Sequence, residues 1–159
     1  MIPQTISLVR LRDIVPDDLP TLYEFNLDPE GNRLAATNPR NTAAFASHWE
    51  KVLADSDVVA KAINVEERLV GFINCFRRGD SHFVGYWLGR EFWGQGIASR
   101  ALELLLSEVA IRPLHAQVAT GNQASLRVLQ KCGFVIRSVQ FGPADERNLE
   151  CEEALLVLE

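Results

Sequence analysis

Two glycines stand directly before a segment with the pattern of a stable helix, in the stretch EFWGQGIASRALELL at residues 91–105. Backbone N–H groups at a helix start have no partner within the helix, and the helix dipole adds partial positive charge there. Gly94 and Gly96, followed by the small Ala98 and Ser99, keep bulky side chains away from that start. The stretch therefore predicts a cradle of backbone amides for a phosphate group. A tight strand-to-helix turn that needs positive φ angles is the purely structural alternative.

Other glycine-rich phosphate loops match this stretch poorly. A Walker loop ends in Gly-Lys-Ser/Thr, which does not occur in the chain. The dinucleotide fingerprint G-x-G-x-x-G needs a third glycine where this sequence has Ser99, and it follows a first parallel strand rather than a mid-chain meander. Nucleotide binding is thus an alternative that rests on Gly94 and Gly96 alone.

The elements around this stretch follow from hydrophobic periodicity. Alternating or continuous apolar runs predict about seven strands, at residues 6–13, 57–65, 68–78, 81–89, 114–120, 134–141 and 150–158. About four helices are expected, after Pro16, near 42–54, near 96–110 and from Asn122 to Gly133, with a loop at 31–41. This order predicts one α/β domain over residues 1–159, built on a mixed and mostly antiparallel sheet.

Composition and charge argue against some classes of partner and favour one cellular compartment. The chain has 159 residues and a net charge of −5, without a run of lysines or arginines, which argues against nucleic acid and anionic membranes as partners. No apolar stretch is long enough to cross a bilayer, and residues 1–13 lack the profile of a signal peptide. Cys75, Cys132 and Cys151 are odd in number and not spaced as metal ligands, so we expect reduced thiols, a cytoplasmic location and no metal.

Two motifs carry a resemblance to a known family. GYWLGREFWGQGIASRAL, followed by NQASLRVLQKCGF, resembles the GNAT superfamily of acyl-CoA-dependent N-acetyltransferases, in particular the branch containing the ribosomal-protein N-terminal acetyltransferases. The pyrophosphate loop of that superfamily, Q/R-x-x-G-x-G/A, falls on residues 93–98, with Trp93 in place of the first Gln or Arg. The second motif, an Asn followed by a helix that ends in Gly-Phe, falls on Asn122 to Phe134.

The resemblance implies that acetyl-CoA lies between two splayed parallel strands, here residues 82–88 and 114–119. Backbone groups of the first strand would pair with the pantetheine arm, and amides of the glycine loop would hold the pyrophosphate. The implied cofactor-binding residues are Tyr86, Trp87, Leu88, Gly94, Gln95, Gly96, Ile97, Ala98, Ser99 and Asn122. Core packing for the strand and a plain helix cap for Asn122 remain the alternative interpretations.

The resemblance also implies acetyl transfer to a primary amine, either a protein N-terminus or a small molecule, by direct attack in a ternary complex. The glutamate and tyrosine that many members use as base and acid are replaced here by Gln117 and Leu129. Ser125 lies one turn before Leu129 and is a candidate donor to the leaving thiolate, or a first-turn serine that satisfies the backbone. His82 is the candidate base because its ordinary pKa suits proton transfer, or a surface histidine without a role.

The acceptor site is expected at the first two helices, the loop at 31–41 and the turn near Gly79 and Asp80. Arg33, Asn38 and Arg40 could contact a carboxylate or a peptide backbone there, or belong to a solvated loop. Because the usual acid and base are missing, a non-catalytic acyl-CoA sensor is the alternative function. The sequence does not fix the acceptor or the oligomeric state, and a homodimer is compatible with it.

Overall fold

The structure, a computed structural model, describes residues 4–159. Within them a seven-stranded sheet has the order β1-β2-β3-β4-β5-β7-β6. The strands are β1 Val9–Asp13, β2 Val59–Val65, β3 Arg68–Arg78, β4 Ser81–Leu88, β5 Leu114–Ala119, β6 Val135–Gly142 and β7 Cys151–Leu158. Neighbouring strands are antiparallel except β4 and β5, which are parallel. The expected mixed, mostly antiparallel sheet is confirmed.

Helices cover both faces of this sheet. They are α1 Gln4–Ser7, α2 Leu19–Asn26, α3 Pro29–Ala35, α4 Thr42–Ala54, α5 Ile97–Glu108 and α6 Gln123–Lys131. Ala62 and Ile63 are consecutive in β2 and fully buried, and they belong to two different apolar clusters. Successive strand residues point to opposite faces. One face therefore packs against α2 and α4, around Trp49, while the other packs against α5 and α6.

Two sequence-based expectations were wrong. The strand expected at 6–13 begins at Val9, which pairs with Val65 at the end of β2, because residues Gln4–Ser7 form helix α1. The loop expected at 31–41 begins instead with helix α3. The carboxylate of Asp28 accepts from the N–H groups of Glu30 and Gly31 and caps the helix start, and Pro29 follows at the first helical position.

The parallel pair β4 and β5 diverges soon after it forms. Its ladder consists of the pairs His82–Leu114 and Phe83–His115. Past these pairs β4 stays attached to β3 as far as Leu88, and β5 stays attached to β7 as far as Ala119. Because each strand follows its outer neighbour, a gap opens between them, as the family resemblance implied.

No helix within residues 4–159 combines the length and apolar character that a membrane crossing requires.

Candidate active site

The glycine loop presents a helix start whose amides carry no side-chain cap. Gly94 and Gly96 have φ angles of +75° and +79°, in the left-handed region that favours glycine. Gly96 is the N-cap residue of α5, and no side chain accepts from the first turn of that helix. A Cβ on Gly96 would lie 2.9 Å from Cδ1 of Ile6. Ile6 does not line the cavity described next, so the amides stay open on that side.

A cavity of about 340 Å³, here called the helix-side cavity, adjoins this loop. It lies between β4, the start of α5 and the start of α6. Nine of the ten residues implied in cofactor binding line it, namely Tyr86, Trp87, Leu88, Gly94, Gly96, Ile97, Ala98, Ser99 and Asn122. The tenth, Gln95, is exposed, and its side-chain amide donates to the Glu91 carbonyl oxygen.

Two basic residues of α6 line the same cavity and were missed by sequence reasoning. Arg127 and Lys131 are four residues apart and therefore share one face of the helix. Neither forms an ion pair in the described part of the chain. The spacing was visible in the sequence, but only the fold shows that this face points toward the glycine loop. Cations and bare amides thus line one cavity, as an anion with several phosphates requires.

Two further cavities adjoin this one and share lining residues with it. A strand gap of about 130 Å³ lies between β4 and β5 and shares Tyr86, Asn122 and Ser125 with the helix-side cavity. An open basin of about 710 Å³ lies beyond it and shares Tyr86, Gly85 and Gln117 with the strand gap. Tyr86 lines all three cavities. The arrangement can hold two different molecules whose reactive ends meet near Tyr86.

Tyr86 and Ser125 form a hydroxyl pair at this meeting point. The Tyr86 hydroxyl lies 2.7 Å from Oγ of Ser125. Burial raises the pKa of Tyr86 to about 12, and the hydrogen bond between Tyr86 and Ser125 only partly offsets this effect. The phenol therefore stays protonated at physiological pH and can donate a hydrogen bond. Sequence reasoning singled out Ser125 but assigned only backbone contacts to Tyr86.

Asn122 caps helix α6. Its Oδ1 accepts from the N–H of Ser125 at 3.3 Å, which is the ordinary role of an N-cap asparagine. Asn122 also lines both the helix-side cavity and the strand gap. The cap uses the side-chain oxygen and leaves the Nδ2 donors for a ligand.

Two tryptophans fix the path of β4 beside the cavity. Nε1 of Trp87 donates to the Phe25 carbonyl at 2.9 Å, which ties the strand to α2. Nε1 of Trp93 donates to the Leu88 carbonyl at 3.2 Å and holds the glycine loop against the strand end. The unusual first residue of the pyrophosphate motif therefore has a structural role in this chain.

The candidate base lies outside the three cavities, whereas the two positions that replace the usual base and acid line the strand gap. His82 lies in the paired part of β4, where its carbonyl oxygen is 3.3 Å from Nδ1 of His115, and it lines none of the three cavities. Gln117 lines the strand gap, and its Oε1 accepts from Arg78 at 3.0 Å. Leu129 is 1% exposed and also lines the gap.

The candidate acceptor residues separate in the structure. Arg33 is exposed and pairs with Glu30 on the surface of α3. Asn38 donates to the Glu146 carbonyl, which links its loop to the β6–β7 connection. Arg40 is half-buried and lines the open basin. The three cysteines are free thiols, and the described residues contain no cluster of potential metal ligands.

Comparison with known proteins agrees with this geometry. Residues 9–135 match the family model described as "Acetyltransferase (GNAT) domain". The chain is 34% identical to the Bacillus subtilis protein named "Probable N-acetyltransferase YjcK", over 43% of this chain and 42% of that protein. The matched part is therefore less than half the length of that relative.

Solved structures show the same fold at low sequence identity. Mycobacterium smegmatis RimJ, in complex with CoA-disulfide, has a TM-score of 0.77 at 20% identity over 94% of this chain and 81% of that chain. A Salmonella typhimurium acetyltransferase that modifies the N-terminal serine of ribosomal protein L7/L12 has a TM-score of 0.79 at 19% identity over 96% and 95% of the two chains. With the family model covering most of its length, this chain belongs to the GNAT acetyltransferases and is an acyltransferase.

Proposed function

We propose that this protein transfers an acetyl group from acetyl-CoA to a primary amine by direct attack in a ternary complex. The helix-side cavity takes the cofactor, the open basin takes the amine, and the strand gap is where the two react. The observation that carries the proposal is that these cavities adjoin one another at Tyr86, which lines all three.

The residues of the helix-side cavity fit coenzyme A. The positive φ angles of Gly94 and Gly96 bring bare amides to the cavity wall, where a diphosphate can accept from them. Arg127 and Lys131 add positive charge beside that position. The edge of β4 beyond Phe83 is free of β5 and can pair with the amide groups of a pantetheine arm. The relative RimJ was solved in complex with CoA-disulfide, which supports this assignment.

The reaction forms one bond and breaks another. The amine nitrogen bonds to the acetyl carbonyl carbon, the carbon–sulfur bond breaks, and a proton from that nitrogen passes to the departing thiolate, so that the products are an amide and coenzyme A thiol. An alkylamine has an ordinary pKa of about 10, so it must lose a proton before it attacks. Water in the open basin can accept that proton. His82 is not used in this proposal because it lies outside the three cavities.

Groups of the protein stabilise the negative charges that develop on the carbonyl oxygen and on the sulfur during the reaction. A backbone N–H at the end of β4, near Leu88, donates to the carbonyl oxygen as it becomes negative. The Ser125 hydroxyl donates to the departing sulfur, and the Tyr86 hydroxyl donates to Oγ of Ser125. In many family members a tyrosine at the position of Leu129 is the acid for the thiolate. Here the pair of Tyr86 and Ser125 takes that role, because the Tyr86 side chain extends from β4 to α6.

The decisive test is amine-dependent release of free thiol from acetyl-CoA across a panel of peptides and small amines. Transfer predicts a release rate that rises with amine concentration, together with an acetylated product of 42 Da greater mass, about the mass of one added acetyl group. A protein that binds acetyl-CoA but releases thiol at the same slow rate with every amine would be a sensor. Thermal stabilisation by ATP or NADH, but not by coenzyme A, would instead favour a nucleotide-binding function.

A further inference from the structure

Three of the arginines that line the open basin, Arg40, Arg78 and Arg147, have no acidic partner among the described residues, and Arg78 instead donates to Gln117. Arg40 and Arg147 both line it and both are half-buried. Arg147 comes from the β6–β7 connection and donates through Nη1 to the Asn38 carbonyl. None of the ion pairs in residues 4–159 involves Arg40 or Arg147. Half-buried guanidinium groups are normally paired, so this arrangement needs an explanation.

The acidic side chains of the basin do not supply the missing partner. The carboxylate of Asp145 accepts from the backbone N–H and the side-chain amide of Asn148, and these bonds lower its pKa. Glu153 lies against Gly142 and forms no ion pair within the described chain. The positive charge of Arg40 and Arg147 is therefore left for something outside the chain.

The basic groups around Arg40 and Arg147 also repel one another. Burial and the nearby Arg40 lower the pKa of Arg147 to about 10. Burial, followed by Arg40, Arg147 and Lys51, lowers the pKa of His48 to about 4. The chain as a whole carries a net charge of −5, so this concentration of positive charge is local. A bound anion would relieve the repulsion, and a bound cation would increase it.

The basin meets the strand gap beside Asn74 and Gly85. Asn74, on β3, lines the basin and pairs across the ladder with Gly85, which lines the strand gap as well as the basin. The basin thus borders the gap at this pair of residues and offers donors for an anion at Arg40 and Arg147.

We infer that the acceptor is an amine that also carries a carboxylate or a phosphate. Its amine lies beside the strand gap, near Asn74 and Gly85, and its anionic group binds Arg40 and Arg147. This inference rests on the proposed function, and it assigns a substrate class to the same site. Polyamines and other cationic amines are excluded from the basin by the same two arginines.

The test compares matched amines that differ in negative charge, in titration calorimetry with and without saturating coenzyme A. Three pairs place the anion at different separations from the amine: O-phosphoethanolamine with ethanolamine, β-alanine with β-alanine amide, and the peptide amide Ser-Asp-Ala-Ala with Ser-Asn-Ala-Ala. In at least one pair the charged member should bind about 10- to 100-fold more tightly, the range expected for a hydrogen bond between charged groups. Equal binding in all three pairs, or tighter binding of the neutral member, would overturn the inference.

Variants identify the groups responsible. Arg40→Gln and Arg147→Gln should each remove most of the preference, and Arg147→Lys should retain part of it. Arg137→Gln is the matched control, because it removes one positive charge from β6 at a residue that pairs with Glu159 and does not line the basin. A preference that survives in the Arg40→Gln/Arg147→Gln double variant with unchanged thermal stability would also overturn the inference.

Failure of the proposed function would look different. In that case no amine would be acetylated, or acetyl-CoA would not bind, whereas the calorimetric preference between charged and neutral amines needs neither turnover nor the cofactor.

Discussion

The hydroxyl oxygens of Tyr86 and Ser125 lie 2.7 Å apart, although the residues are 39 positions apart in the sequence. Tyr86 belongs to β4 and Ser125 to the first turn of α6, so the bond joins β4 to the helix that follows β5, beside the strand gap. Burial keeps the phenol protonated, with a pKa of about 12. The pair can therefore act as two uncharged hydrogen-bond donors in series, with Tyr86 donating to Ser125 and Ser125 donating to a sulfur atom in the gap.

Replacement of either hydroxyl should slow transfer. Ser125→Ala removes the direct donor to the thiolate, and Tyr86→Phe removes the group that orients it. A hydrogen bond to a charged group contributes about 1.5–3 kcal/mol, so we expect kcat to fall by about 10- to 100-fold in each variant. The double variant should lose little more than the worse single variant, since the two groups act together.

Thiol release with a saturating amine measures these rates. Ser107→Ala is the control, because Ser107 is exposed on α5 and bonds only to the Leu104 carbonyl. An unchanged kcat in Ser125→Ala would remove Ser125 from the mechanism.

The two roles of Asn122 can be separated by two substitutions. Asn122→Ala loses the cap on Ser125 N–H and should lower the free energy of unfolding by about 1 kcal/mol. Asn122→Ser keeps a capping oxygen and should restore that stability. If Asn122 also binds the cofactor through Nδ2, both variants should bind acetyl-CoA several-fold more weakly. Chemical denaturation measures the stability and titration calorimetry measures the affinity for acetyl-CoA. Wild-type affinity in Asn122→Ser would show that Asn122 acts only as a helix cap.

The pKa of His48 predicts a pH dependence of stability. Because burial and the cations Arg40, Arg147 and Lys51 lower the pKa of His48 to about 4, the folded protein keeps it neutral where the unfolded chain binds a proton. The stability contributed by neutral His48 is present above pH 6.5 and is lost as the pH falls toward 4. Allowing for solvent screening at this half-buried site, the wild type should lose about 1 kcal/mol more between pH 7 and pH 5 than His48→Gln. Urea denaturation at both pH values checks this, and equal losses would show that His48 is not responsible.

The parts of the site that lie within a few residues of one another could be predicted from the sequence. Gly94 and Gly96 precede an amphipathic segment and indicate a helix start without a side-chain cap. Asn122 precedes a second amphipathic segment and indicates a capped helix start. Strong periodicity placed β4 and β5, and the family resemblance implied the gap between them. The start of α3 was also predictable in principle, because Asp28 and Pro29 are a helix-start signal that the loop-like composition after Gly31 obscured.

Contacts between distant segments were not predictable from one sequence. The bond from Tyr86 to Ser125 depends on how far β4 and β5 diverge, which periodicity does not encode. Arg147 reaches the basin because its connection packs beside the loop at Asn38, 109 positions away in the chain. His82 lies on β4 as expected but lines none of the three cavities, because a position on a strand does not by itself place a side chain in a cavity.

Binding of acetyl-CoA to a matched pair of glycine variants tests the central claim most directly. Gly94 and Gly79 both have positive φ angles, +75° and +62°, and a Cβ on either would meet nothing within 4 Å. Gly94→Asp and Gly79→Asp therefore add the same charge with similar backbone strain, but only Gly94 lines the helix-side cavity. Titration calorimetry should show one acetyl-CoA bound by the wild type, affinity weakened at least about tenfold in Gly94→Asp, and little change in Gly79→Asp. Wild-type affinity in Gly94→Asp, or no binding by the wild type, would contradict the account.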